Sequence, residues 1–307
     1  MRLSTSYIIC TKNRPDDLRR CIRSIVKQTI LPNELIIVDA GRIKNIKEDV
    51  EDILTNTKIP LLYIHTEPGL TRQRNIGIDH AKEDIIFFLD DDVVVYREYN
   101  EEMLNVYRLK GDNRIGGVEG TITNDPIPNP LLDIFRRVFL LSNNIIDGKG
   151  GVLPSGNAVF VCRPSRIIPV EIMNGCGSYK REIFQDLRFD EYLSGYALNE
   201  DVEFSYRVSR RYKLYKTPYA KVIHKRTGVN RIDQEEYSKM RVVNYHYFFK
   251  KNMPQRVKNK MAYLWSQIGF IILAIIQTIR HYRDLRFQLI IGIIKGYMKV
   301  LKGKITI

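Results

Sequence analysis

Residues 84–95 read DIIFFLDDDVVV. Asp84 to Leu89 carries an unbroken apolar run of strand length, which suits a strand buried on both faces of a parallel sheet. At its end stand Asp90, Asp91 and Asp92, followed at once by Val93-Val94-Val95. Aspartate is depleted in strands, and adjacent ionised carboxylates repel one another unless a cation or a proton intervenes. The run therefore marks a place for positive charge. In extended backbone, residues i and i+2 share a side, which turns Asp90 and Asp92 toward one ion and Asp91 away from it. One or two carboxylates completed by water and phosphate oxygens are what Mg2+ or Mn2+ takes beside a diphosphate. A solvated turn after a strand is the plainer reading of the same residues.

Upstream of this stretch the pattern alternates. SYIICT over Ser6–Thr11 reads as a short buried strand. Pro15 opens a helix running to Gln28, with Leu18, Cys21, Ile22, Ile25 and Val26 on one stripe. Strands follow at Glu34–Ala40 and Leu61–His65, and helices at Ile46–Leu54 and Thr71–Ala81. Strands alternating with helices at this spacing imply right-handed βαβ units, hence an α/β fold on a mainly parallel sheet. Ligands of such sheets bind outside the carboxyl ends of the strands. Polar residues collect at those ends: Thr11, Lys12, Asn13 and Arg14 after the first strand, Asp39 at the second, and the triple Asp after the fourth. Singly each reads equally well as a cap or a loop residue; together they outline one crevice.

Composition bounds the rest. A chain of 307 residues with 44% hydrophobic content holds one large domain, or a domain with an appendage, and is not disordered. Cys10, Cys21, Cys162 and Cys176 form no CxxC pair, which suits a reducing compartment and apolar burial. The first apolar run, Tyr7 to Cys10, is shorter than a signal-peptide core, so an active domain in the cytosol is expected. The net charge of +14 is uneven. Lys250 to Ile307 holds 12 Lys and Arg against Asp284 alone, so the body is nearly neutral and the tail strongly basic.

Beyond Asp92 the alternation weakens. Another strand begins at Gly116 to Gly120, and Pro126, Pro128 and Pro130 stiffen a loop. Leu131–Leu141 then reads as a helix whose Leu131, Leu132, Phe135, Val138 and Phe139 make an apolar face, taken as a core helix in preference to a membrane-facing or acceptor-lining one. Asn199-Glu200-Asp201-Val202-Glu203 places three carboxylates at a helix start. The helix dipole favours negative charge there, which by itself accounts for them.

In order, IICTKNRPDDLRRCIRSIVKQT, ELIIVDAG, GLTRQRNIGIDHAKEDIIFFLDDD, NGCGSYKREIF, RFDEYLSGYALNEDVEFSYRVSRR and TPYAKVIH resemble a family 2 glycosyltransferase of the GT-A fold, over most of Ser6 to about Thr227. The relatives it resembles are membrane-associated enzymes that build bacterial or archaeal cell-surface glycans. The resemblance implies a glycosyltransferase domain over 1–250, with a nucleotide-binding half at 1–95 and an acceptor and catalytic half at 96–250. It makes DDD the DxD element, with Asp92, Asp90 and His224 toward a metal and Asp90 and Asp91 toward the nucleotide-sugar diphosphate. Thr11, Asn13, Arg14, Asp39 and Arg74 match donor-binding positions. Asp201 matches the base that takes the acceptor hydroxyl's proton, with Glu200 supporting the acceptor. One base opposite a metal-bound leaving group implies a single displacement with inversion. Many relatives read VDD or VDN where this chain has Asp39-Ala40-Gly41, which leaves the nucleotide open.

Met261 to Ile279 runs 19 residues without a charge, close to the roughly 20 that span a bilayer. Its partner segment, Leu285–Leu301, contains Arg286, Lys295 and Lys299. Basic residues flanking apolar helices favour an anionic leaflet. The region 251–307 is accordingly read as two helices embedded in the cytoplasmic face of the membrane, with a true span and a soluble helical hairpin as the other readings. The membrane reading implies a lipid-linked glycan acceptor. Other functional classes fare less well. A nucleotidyltransferase lacks its glycine-rich phosphate loop in TKNRPDD. A nucleic-acid binder would place its charge in a patch with exposed aromatics, whereas here charge borders apolar helices, so no nucleic-acid partner is expected. A catalytically inactive glycan- or membrane-binding protein of the same fold stands as the alternative.

Overall fold

The computed structural model describes residues 3–109, 114–127, 129–228, 232–280 and 287–303. Pro128, Asp284, Leu285, Arg286 and Ile307, named above, lie outside the described residues. Packing divides the chain into two compact units, one of residues 1–126, 146–149 and 161–230, the other of residues 127–145, 150–160 and 231–307.

The first unit begins with the expected alternation: β1 (Thr5–Thr11), α1 (Pro15–Ile25), β2 (Glu34–Asp39), α2 (Ile46–Leu54), β3 (Leu61–His65), α3 (Leu70–His80) and β4 (Ile85–Asp90). There follow β5 (Val93–Val95), α4 (Tyr99–Leu109) and β6 (Ile115–Ile122). The chain then contributes α5 (Pro130–Val138), β7 (Asn143–Ile145), β8 (Gly151–Val152) and β9 (Ala158–Val161), before β10 (Ile168–Val170), β11 (Gly177–Lys180), α6 (Glu200–Ser209) and β12 (Lys213–His224). It ends in α7 (Gln234–Asn252), α8 (Val257–Arg280) and α9 (Phe287–Leu301).

The large sheet runs β10-β12-β6-β11-β4-β1-β2-β3, with β5 pairing β12. Strands β3, β2, β1 and β4 are mutually parallel, and β6 is parallel to β12, while β11, β10 and β5 run antiparallel to their neighbours. The chain steps outward from β1 to β2 and β3, then returns to β4 on the other side of β1. The β1/β4 boundary is thus the switch point, where open α/β sheets take their ligands. Alternate residues of these strands fill a core: Tyr7, Ile9, Leu35, Ile37, Ile85 and Phe87 are buried with Leu18, Cys21, Ile22 and Ile25 of α1. The Tyr7 ring stacks on Phe87 at 4.7 Å. On the opposite face α3 approaches so closely that a Cβ on Gly77 would stand 2.6 Å from Ile8 Cγ2.

The second unit contains α5, the three-stranded sheet β7-β9-β8 and helices α7 to α9. Val242 of α7, Ala274 of α8, and Leu289 and Ile293 of α9 make one of its apolar clusters, and Phe248 and Phe249 of α7 are buried as well. Residues 231–307 pack together in this unit, α9 lying against α7. The reading of 131–141 as a core helix is corrected. None of the α5 residues is buried, and Leu131, Ile134 and Val138 are exposed. The Phe135 ring packs on Phe139, just past the helix end, whose ring in turn stacks on Trp265 of α8 at 4.8 Å. Helix α8 is long and apolar enough to cross a membrane by length and composition, and it exposes Met261, Leu264, Trp265, Ile268, Ile275 and Ile279.

The α3 contact yields the first prediction. Gly77→Val forces methyl groups into Ile8 and lowers unfolding stability by about 1–3 kcal/mol, the usual cost of overpacking. Urea titration checks it, as a lower midpoint with an unchanged slope.

Candidate active site

Parallel register brings the expected residues to one edge. Thr11 lies opposite Asp39, and Cys10 opposite Asp90. The two residues after β4 depart from the extended geometry read from the sequence: Asp91 and Asp92 form a turn between β4 and β5. Convergence of Asp90 and Asp92 consequently owes nothing to the pleat. It follows from the turn and from β12, whose antiparallel pairing sets His224 opposite Val93. His224 Nε2 lies 2.9 Å from Asp92 Oδ1 and 3.9 Å from Asp90 Oδ2. One ligand atom from each of Asp90, Asp92 and His224 falls within 4.8 Å of the others.

Asp91 is turned inward and is not idle. It is buried, accepting Thr11 Oγ1–H at 2.8 Å and Arg14 Nη1–H at 3.1 Å. Its carboxyl thus ties the loop after β1 to the loop after β4. Burial pushes Asp91 up to about 6, against the opposing pull of Arg14 and Thr11. Burial also disfavours ionised Asp92, but hydrogen bonding and charge from His224, with Arg14 and the Thr227 backbone N–H, outweigh it and hold Asp92 below the ordinary range. For His224 the balance mirrors this: burial opposes the imidazolium, and the two carboxylates overcome it and raise the imidazole. Two carboxylates and one imidazole, with the Asp90 side chain 31% exposed, form an oxygen and nitrogen donor set that fits Mn2+ or Mg2+.

The loop residues are held by close approach. Asp39 is buried, its Oδ1 accepting Gly41 N–H at 2.7 Å and its Oδ2 accepting the Tyr63 hydroxyl at 2.6 Å. Asn13 adopts φ 54°, a left-handed conformation that Asn tolerates, and its Oδ1 accepts Arg42 N–H at 2.7 Å. A Cβ on Gly41 would sit 2.8 Å from Asn13 N and 2.9 Å from Asp39 Oδ1. Glycine at 41 is what lets the two loops meet.

Arg74 of α3 joins the two carboxylate constellations. Its guanidinium is buried, with Nη1 2.7 Å from Glu200 Oε2 and Nη2 3.4 Å from Asp90 Oδ1. The guanidinium carbon also lies over the rings of Phe88 at 5.6 Å and Phe189 at 5.1 Å. Glu200 is therefore occupied by Arg74. Burial raises its carboxyl well above the usual range, with Arg74 opposing. The next residue, Asp201, is only half-buried, and its Oδ1 accepts Val202 N–H at 2.8 Å. Burial lifts Asp201 to about 6, again with Arg74 opposing.

Several contributors are not among the residues expected from the sequence. Gln73 donates from Nε2 to Thr11 O at 3.1 Å and to Val38 O at 2.8 Å, clamping the ends of β1 and β2. Glu119 and Lys216 form a buried pair at 3.1 Å, and Glu119 also accepts Asn174 N–H at 2.9 Å. A lone Glu inside GGVEGT was the cue for that pair, since a buried charge needs a partner.

The model of the family described as glycosyl transferase family 2 matches residues 6–164. The chain belongs to glycosyl transferase family 2. The family is one of glycosyltransferases, the enzyme class expected from the sequence. An uncharacterized glycosyltransferase of Haemophilus influenzae is 26% identical over 201 residues, covering 63% of this chain and 68% of that protein. Further curated relatives are matched over 40% of their length or less. Among solved structures, GalNAc-T7 with UDP, GalNAc and Mn2+ superimposes with a TM-score of 0.59 at 19% identity, covering 87% of this chain and 55% of that one. The mannosyltransferase PcManGT of Pyrobaculum calidifontis, in complex with GDP-Man and Mn2+, gives 0.58 at 14% identity, covering 97% and 88%. These likenesses establish the GT-A fold.

Removing Arg74 is the sharpest structural test of this family 2 arrangement. Arg74→Met leaves Glu200 buried without its cation, a change that costs about 3–5 kcal/mol in comparable buried pairs. The unfolded chain ionises Glu200 more readily than the folded one, so the loss grows as pH rises from 5 to 8. Adding Glu200→Gln restores part of the stability, read from denaturation in a double-mutant cycle.

Proposed function

We propose that this family 2 member is an inverting glycosyltransferase. It moves a sugar from a nucleotide-diphosphate donor to a hydroxyl of a glycan acceptor carried on a lipid, at the cytoplasmic face of the membrane. The observation that carries the proposal is the cluster of Asp90, Asp92 and His224 at the switch point, joined through Arg74 to the helix that bears Asp201.

In this reading Asp90, Asp92 and His224 hold Mn2+ or Mg2+, which supplies positive charge to the leaving diphosphate. The Mn2+ and nucleotide ligands of the two solved neighbours support that choice. Thr11, Asn13, Arg14 and Asp39 line the donor side, and Asp91, through Thr11 and Arg14, keeps the loop after β1 in register with the metal ligands. Asp201 accepts the proton of the attacking hydroxyl as the new bond forms on the anomeric carbon. A carboxyl near 6 is ionised at neutral pH and still basic enough to take that proton. Glu200, taken up by Arg74, positions Asp201 by fixing the first turn of α6. One base and one leaving group imply a single displacement, hence inversion. The exposed apolar side chains of α5, α8 and α9 support membrane association through 251–307 together with α5.

Release of nucleoside diphosphate from nucleotide sugars with Mn2+ tests the reading. Stabilisation by UDP, GDP, dTDP or CMP in a thermal shift identifies the donor class. Asp201→Asn is expected to lower kcat by about 10²- to 10⁴-fold while donor binding persists. A wild type that turns over no nucleotide sugar with any divalent metal would favour a glycan- or membrane-binding protein of the same fold.

The pH profile gives a separate check. Asp201 must be deprotonated, so kcat/KM rises with pH and levels off above a midpoint near 6. An acid limb that persists unchanged in Asp201→Asn residual activity assigns the midpoint to another group.

A further inference from the structure

His224 is the last residue of β12, and its backbone is secured by a side chain outside the reaction site. Along β12 the groups of Val222 and His224 face β6, whereas those of Lys221 and Lys225 face β5 and the turn before it. Thr123 N–H donates to Val222 O at 2.9 Å, Tyr96 N–H to Lys221 O at 3.0 Å, and Lys225 N–H to Asp92 O at 2.9 Å. Strand β6 stops short of His224. Its pairing with β12 ends at Ile122 and Val222, and the chain then turns, Asp125 N–H meeting Ile122 O at 3.4 Å.

The side chain of Asn124, in that turn, takes the place of the departed strand. Its Oδ1 accepts His224 N–H at 3.0 Å, and its Nδ2 donates to His224 O at 2.8 Å. An amide presents an acceptor and a donor side by side, whereas an ionised carboxylate only accepts. The next residue adds a second tie. Asp125 pairs with Arg226, whose φ of 52° lies in the left-handed region that residues other than glycine rarely adopt. His224 is thus held on one edge by Asn124 and, through Lys225, on the other by the backbone of Asp92. Only its side-chain torsions are left to aim the imidazole.

We propose that Asn124 is a positioning residue for the metal site: its amide sets the backbone of His224 so that the imidazole and the carboxylates of Asp90 and Asp92 converge on one divalent cation. The proposal rests on the reading of these three residues as metal ligands. Partners that orient a metal-bound histidine are worth about 10- to 100-fold in affinity, and an effect transmitted through the backbone belongs at the lower end, about tenfold.

The full chain is titrated with Mn2+, free ion being read by EPR, and urea unfolding is measured on the same samples. Asn124 is exposed, so Asn124→Ala is expected to stay folded and to bind Mn2+ about tenfold more weakly. Asn124→Asp suits the same turn and serves if the alanine variant does not fold. It keeps the acceptor, loses the donor and adds negative charge near a cation site. By charge alone it tightens Mn2+ binding; by loss of the amide it weakens it, which is the result expected. Thr123→Val is the control, because the Thr123 hydroxyl donates to Val222 O at 3.2 Å from the same turn without touching His224. Its Mn2+ affinity is expected to match wild type. The proposal is overturned if the Asn124 variants bind Mn2+ as tightly as wild type, losing at most stability, or if Thr123→Val weakens the ion equally. A wild type that binds no Mn2+ sinks the metal reading and this proposal with it, whereas equal binding by wild type and Asn124→Ala sinks the positioning role alone.

Discussion

Three adjacent aspartates at the end of a buried strand repel one another, and nothing within that strand relieves them. The relief comes from segments far away in the chain. Arg14 from the loop after β1 meets Asp91, His224 from the end of β12 meets Asp92, and Arg74 from α3 reaches Asp90. Each is placed by backbone pairing or helix packing, so the fold must be complete before the carboxylates can lie together. The same requirement explains why the loops are so tightly joined, with Gln73 clamping two strands and Gly41 closing on Asn13.

Arg74 has a second consequence. It is shared between Asp90 and Glu200, so the metal-side strand and the helix bearing Asp201 are tied to one cation. Two successive carboxylates on α6 thereby take different roles. Glu200 is buried against Arg74, while half-buried Asp201 remains partly open to solvent. Burial without a direct ion pair is what lifts Asp201 toward neutrality, the property a proton acceptor needs.

The second unit solves a different problem. Its helices α5, α8 and α9 keep large apolar side chains on the surface. Such a surface is costly in water, which is why membrane association forms part of the proposed function. The segment Lys250 to Ile307 in the same unit is strongly basic, the composition on which the proposed docking to an anionic leaflet rests.

The alternating β and α periodicity over residues 5–90, the polar strand ends and the basic apolar tail were legible from the residues alone, because each depends on local spacing. The candidates Thr11, Asp39 and Asp90 were legible for the same reason, since parallel strands bring their carboxyl ends to one edge. The inward turn of Asp91 was not, because it depends on a two-residue reversal between β4 and β5 that the apolar pattern does not encode. Nor was the taking up of Glu200 by Arg74, which unites residues 126 positions apart. Exposure of α5 was equally hidden: its amphipathic spacing is the same whether the apolar face meets a core or not. Sequence by itself determined the alternating elements over residues 5–90, the gathering of polar residues at their strand ends, and the family. Tertiary structure decided which carboxylate meets which cation, because that choice is made by strand register and helix docking across distances that no local pattern records.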